Sequence, residues 1–293
     1  MTIKQLFATA PITTVLLISF IGLFIIQLLT GVDANDPSTE QLLNWGANAL
    51  PYTMGEDPWR LITSGFLHIG LMHLLFNSFA MYFFGQIAEP MFGSAKFLAL
   101  FLLAAIGGNL LNNYVTWQGI LDGTGQPGIS AGASGGIMGI GAALLIAALF
   151  KISVNGLVLN LKSLIFIMGI NLFYGFAVPG IDNAGHIGGA VTGLVIALAF
   201  AIAYRQCAKA TQINPPFDAS LHIHPTYQQH TGYNNYHNNN HNSHHPADSN
   251  KAKKPTILWQ MLPWLVMLVM SVGFAYWWQD MHQQLLQVLA AIE

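Results

Sequence analysis

Two side chains in this sequence could together perform nucleophilic catalysis. Ser134 lies in the segment GASGG (132–136) and opens an apolar run, and His186 lies in the segment AGHIGG (184–189) at the start of another apolar run. A serine hydroxyl becomes a nucleophile when a base takes its proton, and imidazole is the usual base. The pair therefore predicts hydrolysis inside a membrane.

The composition is that of a membrane protein. Of the 293 residues, 53% are hydrophobic and 8% are charged, whereas a soluble domain carries roughly 25% charged residues. The net charge of −2 does not indicate a nucleic-acid partner, and the single cysteine, Cys207, excludes an internal disulfide. We therefore expect most of the chain to lie in lipid.

Seven apolar segments are long enough to be considered as membrane spans, since a helix crosses the hydrocarbon layer with about 20 residues. They lie near 12–31, 66–88, 96–116, 131–150, 158–178, 184–204 and 258–278. The first segment exceeds the roughly 7–15 apolar residues of a cleavable signal, so we expect it to remain as a helix. The predicted fold class is an all-α polytopic membrane protein.

The basic residues predict the orientation of the chain, because they collect on the cytoplasmic side. With the N-terminus inside, nine of ten basic residues fall inside or near the inner surface, and only Arg60 falls outside. The nine are Lys4, Lys96, Lys151, Lys162, Arg205, Lys209, Lys251, Lys253 and Lys254. This distribution predicts an N-in, C-out topology.

Composition divides the chain into three regions. Residues 1–205 form the predicted core domain of six spans, with an outer loop at 32–65 whose aromatic content favours ordered structure at the membrane surface. Residues 206–256 are predicted to be a disordered cytoplasmic linker, because the stretch His222–His245 holds seven histidines and six asparagines without apolar periodicity. Residues 257–293 are predicted to be a seventh transmembrane helix with a short outer tail.

The histidine-rich linker raises the question of metal binding. Seven histidines suffice for weak binding of Zn, Ni or Cu, but the run lacks cysteines and regular ligand spacing. We therefore predict no specific metal site and no cofactor for this chain.

Two further polar residues fall in the predicted spans at a depth similar to that of the serine and the histidine. His73 and Asn77 are spaced i, i+4 on the second span and so share one helix face. Counted from the inner ends of their helices, Ser134 and His186 lie about 24 and 27 Å up a hydrocarbon core of about 30 Å. Taken singly, such residues also fit helix packing or bridging, but polar groups from three helices at one level indicate a common site.

These motifs resemble those of the rhomboid family of intramembrane serine proteases. GASG (132–135) matches the G-x-S-G motif of the fourth core helix, and His186 in AGHIGG matches the base on the sixth. HLLFN (73–77) matches the H-x-x-x-N motif of the second helix. The loop pair Trp59-Arg60 and the later residues Glu89 and Gly93-Ser94 also match, and the resemblance covers about residues 10–205. It implies a six-helix bundle, here with one additional C-terminal helix.

The resemblance also implies roles for individual residues. Ser134 would attack the scissile carbonyl and His186 would take its proton, as a dyad without a required carboxylate. The backbone N–H of Ser134 and the side chains of His73 and Asn77 would hold the oxyanion, and Gly132 would let the backbone approach the substrate. Asp182, four residues before His186, suggests a triad, but its place in the preceding loop favours the dyad.

One position departs from the family pattern. Many bacterial rhomboids have a tyrosine four residues after the serine, stacked on the histidine ring, and this chain has Met138 there. A thioether also contacts aromatic rings favourably, so we assign Met138, Trp59 and Arg60 supporting roles.

The sequence therefore predicts a serine endopeptidase that cleaves single-span membrane proteins near the outer face of the bilayer. The predicted location is a bacterial inner membrane, with the site opening to the periplasmic side. The alternative is a catalytically silent rhomboid-like protein that binds membrane helices for quality control. A transporter is disfavoured, because the inner halves of the fourth and sixth spans carry no polar path.

Overall fold

The computed structural model describes residues 3–152, 159–177, 182–211 and 257–292, and these residues are mostly helical. In chain order the helices are α1 (Ile3–Thr9), α2 (Pro11–Leu29), α3 (Thr39–Asn44), α4 (Leu50–Thr53), α5 (Arg60–Thr63), α6 (Leu71–Phe92), α7 (Ser94–Leu121), α8 (Ser134–Leu149), α9 (Leu161–Ala177), α10 (Asn183–Thr211) and α11 (Ile257–Ile292). A 3-10 turn, Ser64–Phe66, follows α5. Two short strands, β1 (Asn48–Ala49) and β2 (Ile129–Ser130), pair antiparallel.

Length and apolar composition make this a multi-pass membrane protein. Among the described residues, α2, α6, α7, α10 and α11 are long and apolar enough to cross a bilayer. The apolar helices α8 and α9 are shorter, at 16 and 17 residues. The predicted all-α polytopic fold class is confirmed, whereas the N-in, C-out orientation and the count of six spans plus one stay predictions.

The short length of α8 matters for the position of Ser134. At 1.5 Å per residue α8 is about 24 Å long, less than the roughly 30 Å of hydrocarbon in a bilayer. A helix of this length that ends near one surface begins below the other. Ser134 is its first residue, so the start of α8 is suited to a recessed site.

Two helix boundaries differ from the sequence prediction. The predicted linker begins at 206, whereas α10 continues to Thr211; residues 212–256, with the histidine-rich stretch, lie outside the described residues. The predicted short outer tail is instead the end of α11, which has 36 residues and reaches Ile292. Residues 277–292 contain neither glycine nor proline, so nothing in this segment breaks the helix.

Buried aromatic side chains pack between α6, α7 and α10. Phe92, Phe97, Phe101 and Phe200 come from α6, α7 and α10, and each is at most 2% exposed. The rings of Phe92 and Phe200 lie 4.9 Å apart between centroids. This packing joins helices that are distant in sequence around one core.

Glycines bring α8 and α10 together backbone to backbone. A Cβ on Gly189 of α10 would overlap the carbonyl oxygen of Gly135, and a Cβ on Gly193 would overlap that of Gly139. A Cβ on Gly108 of α7 would lie 2.6 Å from the carbonyl oxygen of Gly185. No side chain larger than hydrogen fits at these contacts, so glycine is required for this helix separation.

A buried carboxylate joins α6 to the start of α2. Glu89 is 1% exposed and accepts hydrogen bonds from the Thr13 N–H at 2.7 Å and the Thr13 hydroxyl at 2.8 Å. It also accepts from the Ile12 N–H at 2.9 Å and the Ser94 hydroxyl at 2.6 Å. Four donors satisfy the buried charge, so Glu89 fixes the first span against the second.

The connection between α2 and α6, predicted to be an outer loop, contains the short helices α3, α4 and α5 and the strand β1. Arg60 organises it: its Nη1 donates to the carbonyl oxygens of Leu43 at 2.7 Å and Ala47 at 3.1 Å. Its Nε donates to Asp57 Oδ2 at 3.0 Å, and its guanidinium lies 4.6 Å from the centroid of the Trp59 ring. The pair Trp59-Arg60 therefore stabilises the loop rather than contributing to the cavity described next.

Candidate active site

One cavity brings together the four polar residues selected from the sequence. Its volume is about 910 Å³, and His73, Asn77, Ser134 and His186 all line it. These residues come from α6, α8 and α10, and the first and last of them, His73 and His186, are 113 positions apart in sequence. Asp182 and Gly132 also face this cavity.

Ser134 is held at the cavity by the backbone before it. Gly132 has a φ of +140°, a conformation that residues with a Cβ rarely adopt. Its N–H donates to the carbonyl oxygen of Ser64 at 2.9 Å, which ties this turn to the outer connection. Since Ser134 is the first residue of α8, its own N–H is one of the first-turn donors that have no acceptor within the helix.

His73 and Asn77 lie directly against Gly132. A Cβ built on Gly132 would lie 2.8 Å from His73 Nε2 and 3.6 Å from Asn77 Nδ2. The Ile69 N–H donates to His73 Nδ1 at 3.3 Å, so Nδ1 is the acceptor and the proton of a neutral ring is on Nε2. Asn77 is 6% exposed, and its Nδ2 has no partner within the described residues. Two donors therefore converge on the backbone that precedes Ser134.

His186 occupies the first turn of α10, and Asp182 caps that helix. Asp182 Oδ1 accepts from the Gly185 N–H at 2.7 Å, the bond of an N-cap residue. Its Oδ2 accepts from the Ser130 hydroxyl at 2.6 Å, and its carbonyl accepts from the His186 N–H at 3.1 Å. The carboxylate is thus engaged by Gly185 and Ser130, which disfavours the triad and links β2 to the histidine-bearing helix.

The two candidate catalytic side chains share the cavity without a hydrogen bond between them. Across the described part of the chain, no hydrogen bond joins Ser134 Oγ to His186, and His186 Nδ1 is buried without a partner. Catalytic hydrogen bonds in substrate-free enzymes are commonly long and shorten when substrate binds. The structure therefore brings the pair to one cavity without a direct bond between them.

Of the four supporting residues predicted from the sequence, Gly132 lines the cavity, whereas Met138, Trp59 and Arg60 do not. Met138 is buried in α8, at 6% exposure, and Trp59 and Arg60 lie in the outer connection. Arg60 contacts Asp57, Leu43, Ala47 and the rings of Tyr52 and Trp59.

The structure adds lining residues that the sequence prediction did not include. Asn109 of α7 is 8% exposed, and its Nδ2 donates to the Ser64 hydroxyl at 2.8 Å and the Leu61 carbonyl at 2.9 Å. A polar residue within a span is itself a signal that could have identified Asn109. An apolar wall completes the cavity; its residues are Phe76, Phe79 and Phe83 of α6 and Ile167 and Ile170 of α9.

Within residues 3–152, 159–177, 182–211 and 257–292, no group of three His, Cys, Asp or Glu side chains could hold a metal ion. The histidine-rich stretch His222–His245 is outside these ranges.

Comparison with known proteins identifies the family. A family model described as "Rhomboid domain" matches residues 55–203, slightly more than half of the chain. The chain belongs to the rhomboid family. The matched region of this rhomboid includes the whole cavity-lining set from Ile69 to His186.

Curated relatives of this rhomboid come from bacteria and plants. "Rhomboid protease GluP" of Bacillus subtilis (strain 168) is 36% identical over 184 residues, which are 62% of this chain and 34% of that protein. "Rhomboid protease AarA" of Providencia stuartii is 34% identical over 181 residues, 56% of this chain and 64% of that protein. "RHOMBOID-like protein 6, mitochondrial" of Arabidopsis thaliana is 34% identical over 162 residues, 55% of this chain and 50% of that protein. The chain thus spans between about a third and two thirds of these relatives.

Proposed function

We propose that this rhomboid is an intramembrane serine endopeptidase in which Ser134 is the nucleophile and His186 is the general base. The observation that carries the proposal is the shared cavity, where a serine, two histidines and an asparagine from three helices meet. A packing role accounts for each residue singly, but it does not account for four polar groups around one cavity of about 910 Å³.

The proposed reaction proceeds through an acyl-enzyme. Ser134 Oγ attacks the scissile carbonyl carbon while the His186 ring takes the hydroxyl proton. The ring then gives that proton to the leaving amine as the peptide C–N bond breaks. Water attacks the ester in the second half, with His186 again taking and returning one proton. The cycle needs no cofactor or oxidant.

Three donors are proposed to stabilise the oxyanion. The Ser134 N–H is free of intrahelical bonding, the His73 tautomer places N–H on Nε2 beside Gly132, and Asn77 Nδ2 is buried without a partner in the described residues. A fixed donor of this kind contributes about 10²–10³ in rate. The unpartnered amide of Asn77 is then explained by a ligand oxygen that arrives with the substrate.

The proposed substrate is a single-span membrane protein cleaved near the outer face of the bilayer. A peptide bond within a helix is shielded from attack, so the substrate helix must unwind, and glycine lowers the cost of unwinding. The apolar wall between α6 and α9 matches the apolar surface of such a helix. We further propose a bacterial inner membrane, with the cavity opening to the periplasmic side.

The test is covalent labelling of the purified full chain with a fluorophosphonate probe. We expect wild type to be labelled and Ser134→Ala to be unlabelled, because the nucleophilic oxygen is removed. Ser19→Ala is the matched control and should be labelled like wild type, since Ser19 donates to the Leu16 carbonyl oxygen within α2 and does not line the cavity. Equal labelling of wild type and Ser134→Ala would contradict the nucleophile assignment. A wild type that is neither labelled nor able to cleave helices would favour the silent, helix-binding alternative.

A further inference from the structure

The outer end of α11 is hydrogen-bonded to two other parts of the molecule. Trp278 Nε1 donates to the Thr53 carbonyl oxygen at 2.7 Å, and His282 Nδ1 lies 2.7 Å from the Met54 carbonyl oxygen. Because a carbonyl only accepts, His282 Nδ1 must carry a proton. Two residues further along the helix, Gln284 Oε1 accepts from the Trp117 indole N–H of α7 at 3.0 Å.

Apolar contacts reinforce this attachment. The rings of Trp278 and His282 are stacked, with centroids 5.0 Å apart and an interplanar angle of 10°. Met281 and Leu285 of α11 belong to a buried cluster, at 2% and 9% exposure. The other buried members of the cluster are Leu50, Met54, Leu61, Leu110 and Trp117. The end of α11 is therefore packed on α4 as well as bonded to it.

The turn that α11 holds leads directly to the strand pair beside the active site. Helix α4 follows β1 without a gap, and the Ala49 N–H donates to Thr53 Oγ1 at 3.1 Å. β1 pairs with β2, with Asn48 opposite Ser130 and Ala49 opposite Ile129. Both residues of β2, Ile129 and Ser130, line the active-site cavity.

β2 is connected to both catalytic helices. Its Ser130 is two positions before Gly132 and four before Ser134 of α8. The Ser130 hydroxyl also donates to Asp182, which caps the helix of His186. A displacement of β1 would therefore act on the nucleophile and on the base through one strand.

We propose that the outer end of α11 is a positioning element for the active site, in which Trp278 and His282 hold α4 so that β1 keeps β2 in register. A helix that only anchors the chain would need about 20 residues, whereas α11 has 36. The contacts with Thr53, Met54 and Trp117 are made by the additional C-terminal part of the helix. Trp278 and His282 are thus positioning residues that touch neither substrate nor Ser134. The expected effect of this attachment on the cleavage rate rests on the proposed protease function. Its expected effect on the order of the strand pair β1–β2 does not.

The structural consequence is tested by amide hydrogen exchange on the full chain in detergent. The double variant Trp278→Phe/His282→Phe keeps two aromatic rings and removes both donors. We expect exchange in residues 48–54 and 129–132 to become at least about fivefold faster, the factor that corresponds to one net hydrogen bond. Exchange in the middle of α8 and α10 should be unchanged. The matched control is Gln284→Ala, which breaks the bond to α7 and leaves both bonds to α4. Exchange at 129–132 that equals wild type in the double variant would overturn the proposal.

The kinetic consequence is tested on the same proteins with a single-span substrate in liposomes. We expect kcat to fall about fivefold in the double variant, by the same factor, with KM within twofold of wild type. Gln284→Ala should retain wild-type kcat. Faster exchange with unchanged kcat would overturn the link to the active site. If wild type itself cleaves nothing, the protease function fails and the exchange result still decides the structural claim.

Discussion

The two sides of the cavity are built differently. On one side, α8 and α10 meet backbone to backbone, because Gly135 and Gly139 face Gly189 and Gly193 with no room for a Cβ. On the other side, α6 and α9 present the apolar wall, where Phe76 is 61% and Phe79 70% exposed. One side is closely packed around the reacting groups, and the other has large side chains with space around them.

This difference matches two separate requirements of the proposed reaction. A nucleophile and a base must be held within a fraction of an ångström, and backbone contacts without rotamer freedom do this well. A helical substrate must enter from lipid, and a wall of side chains can shift rotamers where backbone cannot. We infer that the glycine contact between α8 and α10 holds Ser134 and His186 in place, and that the apolar wall admits the substrate helix.

The largest effect is expected at the glycine contact. In Gly189→Ala the new Cβ overlaps the Gly135 carbonyl oxygen, and backbone cannot rotate away as a side chain can. We expect a destabilisation of about 3 kcal/mol, the upper end of the usual cost of overpacking, and loss of fluorophosphonate labelling, measured by thermal unfolding and probe incorporation.

The control for Gly189→Ala is a glycine-to-alanine change at a position of α11 that has space for the new Cβ. In Gly273→Ala on α11 nothing lies within 4 Å of the new Cβ, so the unfolding midpoint and labelling should match wild type or improve slightly. A wild-type unfolding midpoint in Gly189→Ala would show that the two helices do not depend on their close approach.

A smaller effect is expected at the apolar wall. Phe79→Ala removes a ring from the entry side, and the lost contact costs little because lipid chains are as apolar as the ring. We expect kcat/KM for a single-span substrate to rise about threefold, while labelling by a small soluble probe stays within twofold, since the reacting groups are untouched. If cleavage of the substrate and labelling by the probe changed equally, Phe79 would affect the reacting groups themselves, and the two sides of the cavity would not have separate roles.

The smallest effect is expected at Asp182. Asparagine caps helices as well as aspartate does, so Asp182→Asn should keep kcat within twofold. Asp182→Ala should cost about 1 kcal/mol of stability, as the loss of a cap usually does. If Asp182 instead oriented His186 as a triad member, Asp182→Asn would lower kcat by about 10⁴. Cleavage assays with both variants separate the two roles.

The sequence predicted the parts of the fold that depend on local pattern. Apolar runs predicted seven helices close to their observed bounds, apart from the ends of α10 and α11, because a membrane span requires a long apolar segment. The i, i+4 spacing of His73 and Asn77 placed them on one face, and both line the cavity with Ser134 and His186. The rhomboid family assignment from the same motifs is confirmed.

The strand pair and the attachment of α11 could not be predicted, because they depend on contacts between segments that are distant in sequence. Strands of two residues, such as Asn48–Ala49, are too short to show a period, so the pairing of β1 with β2 had no signal in the sequence. The bond from Ser130 to Asp182 and the attachment of Trp278 to Thr53 join residues 52 and 225 positions apart. Polar residues such as Gln283 and Gln284 end the apolar run, which predicts a tail after the span, but they do not end the helix, and α11 continues to Ile292.

The most direct test of the account is cleavage of a single-span membrane substrate by purified wild type and His186→Ala in liposomes, with product masses locating the cut. We expect wild type to cut one bond near the outer end of the substrate helix and His186→Ala to be slower by about 10⁴ or more, as when the base of a serine hydrolase is removed. Comparable cleavage by His186→Ala, or products cut in a soluble segment far from the membrane, would contradict the assignment of this cavity as an intramembrane serine protease site.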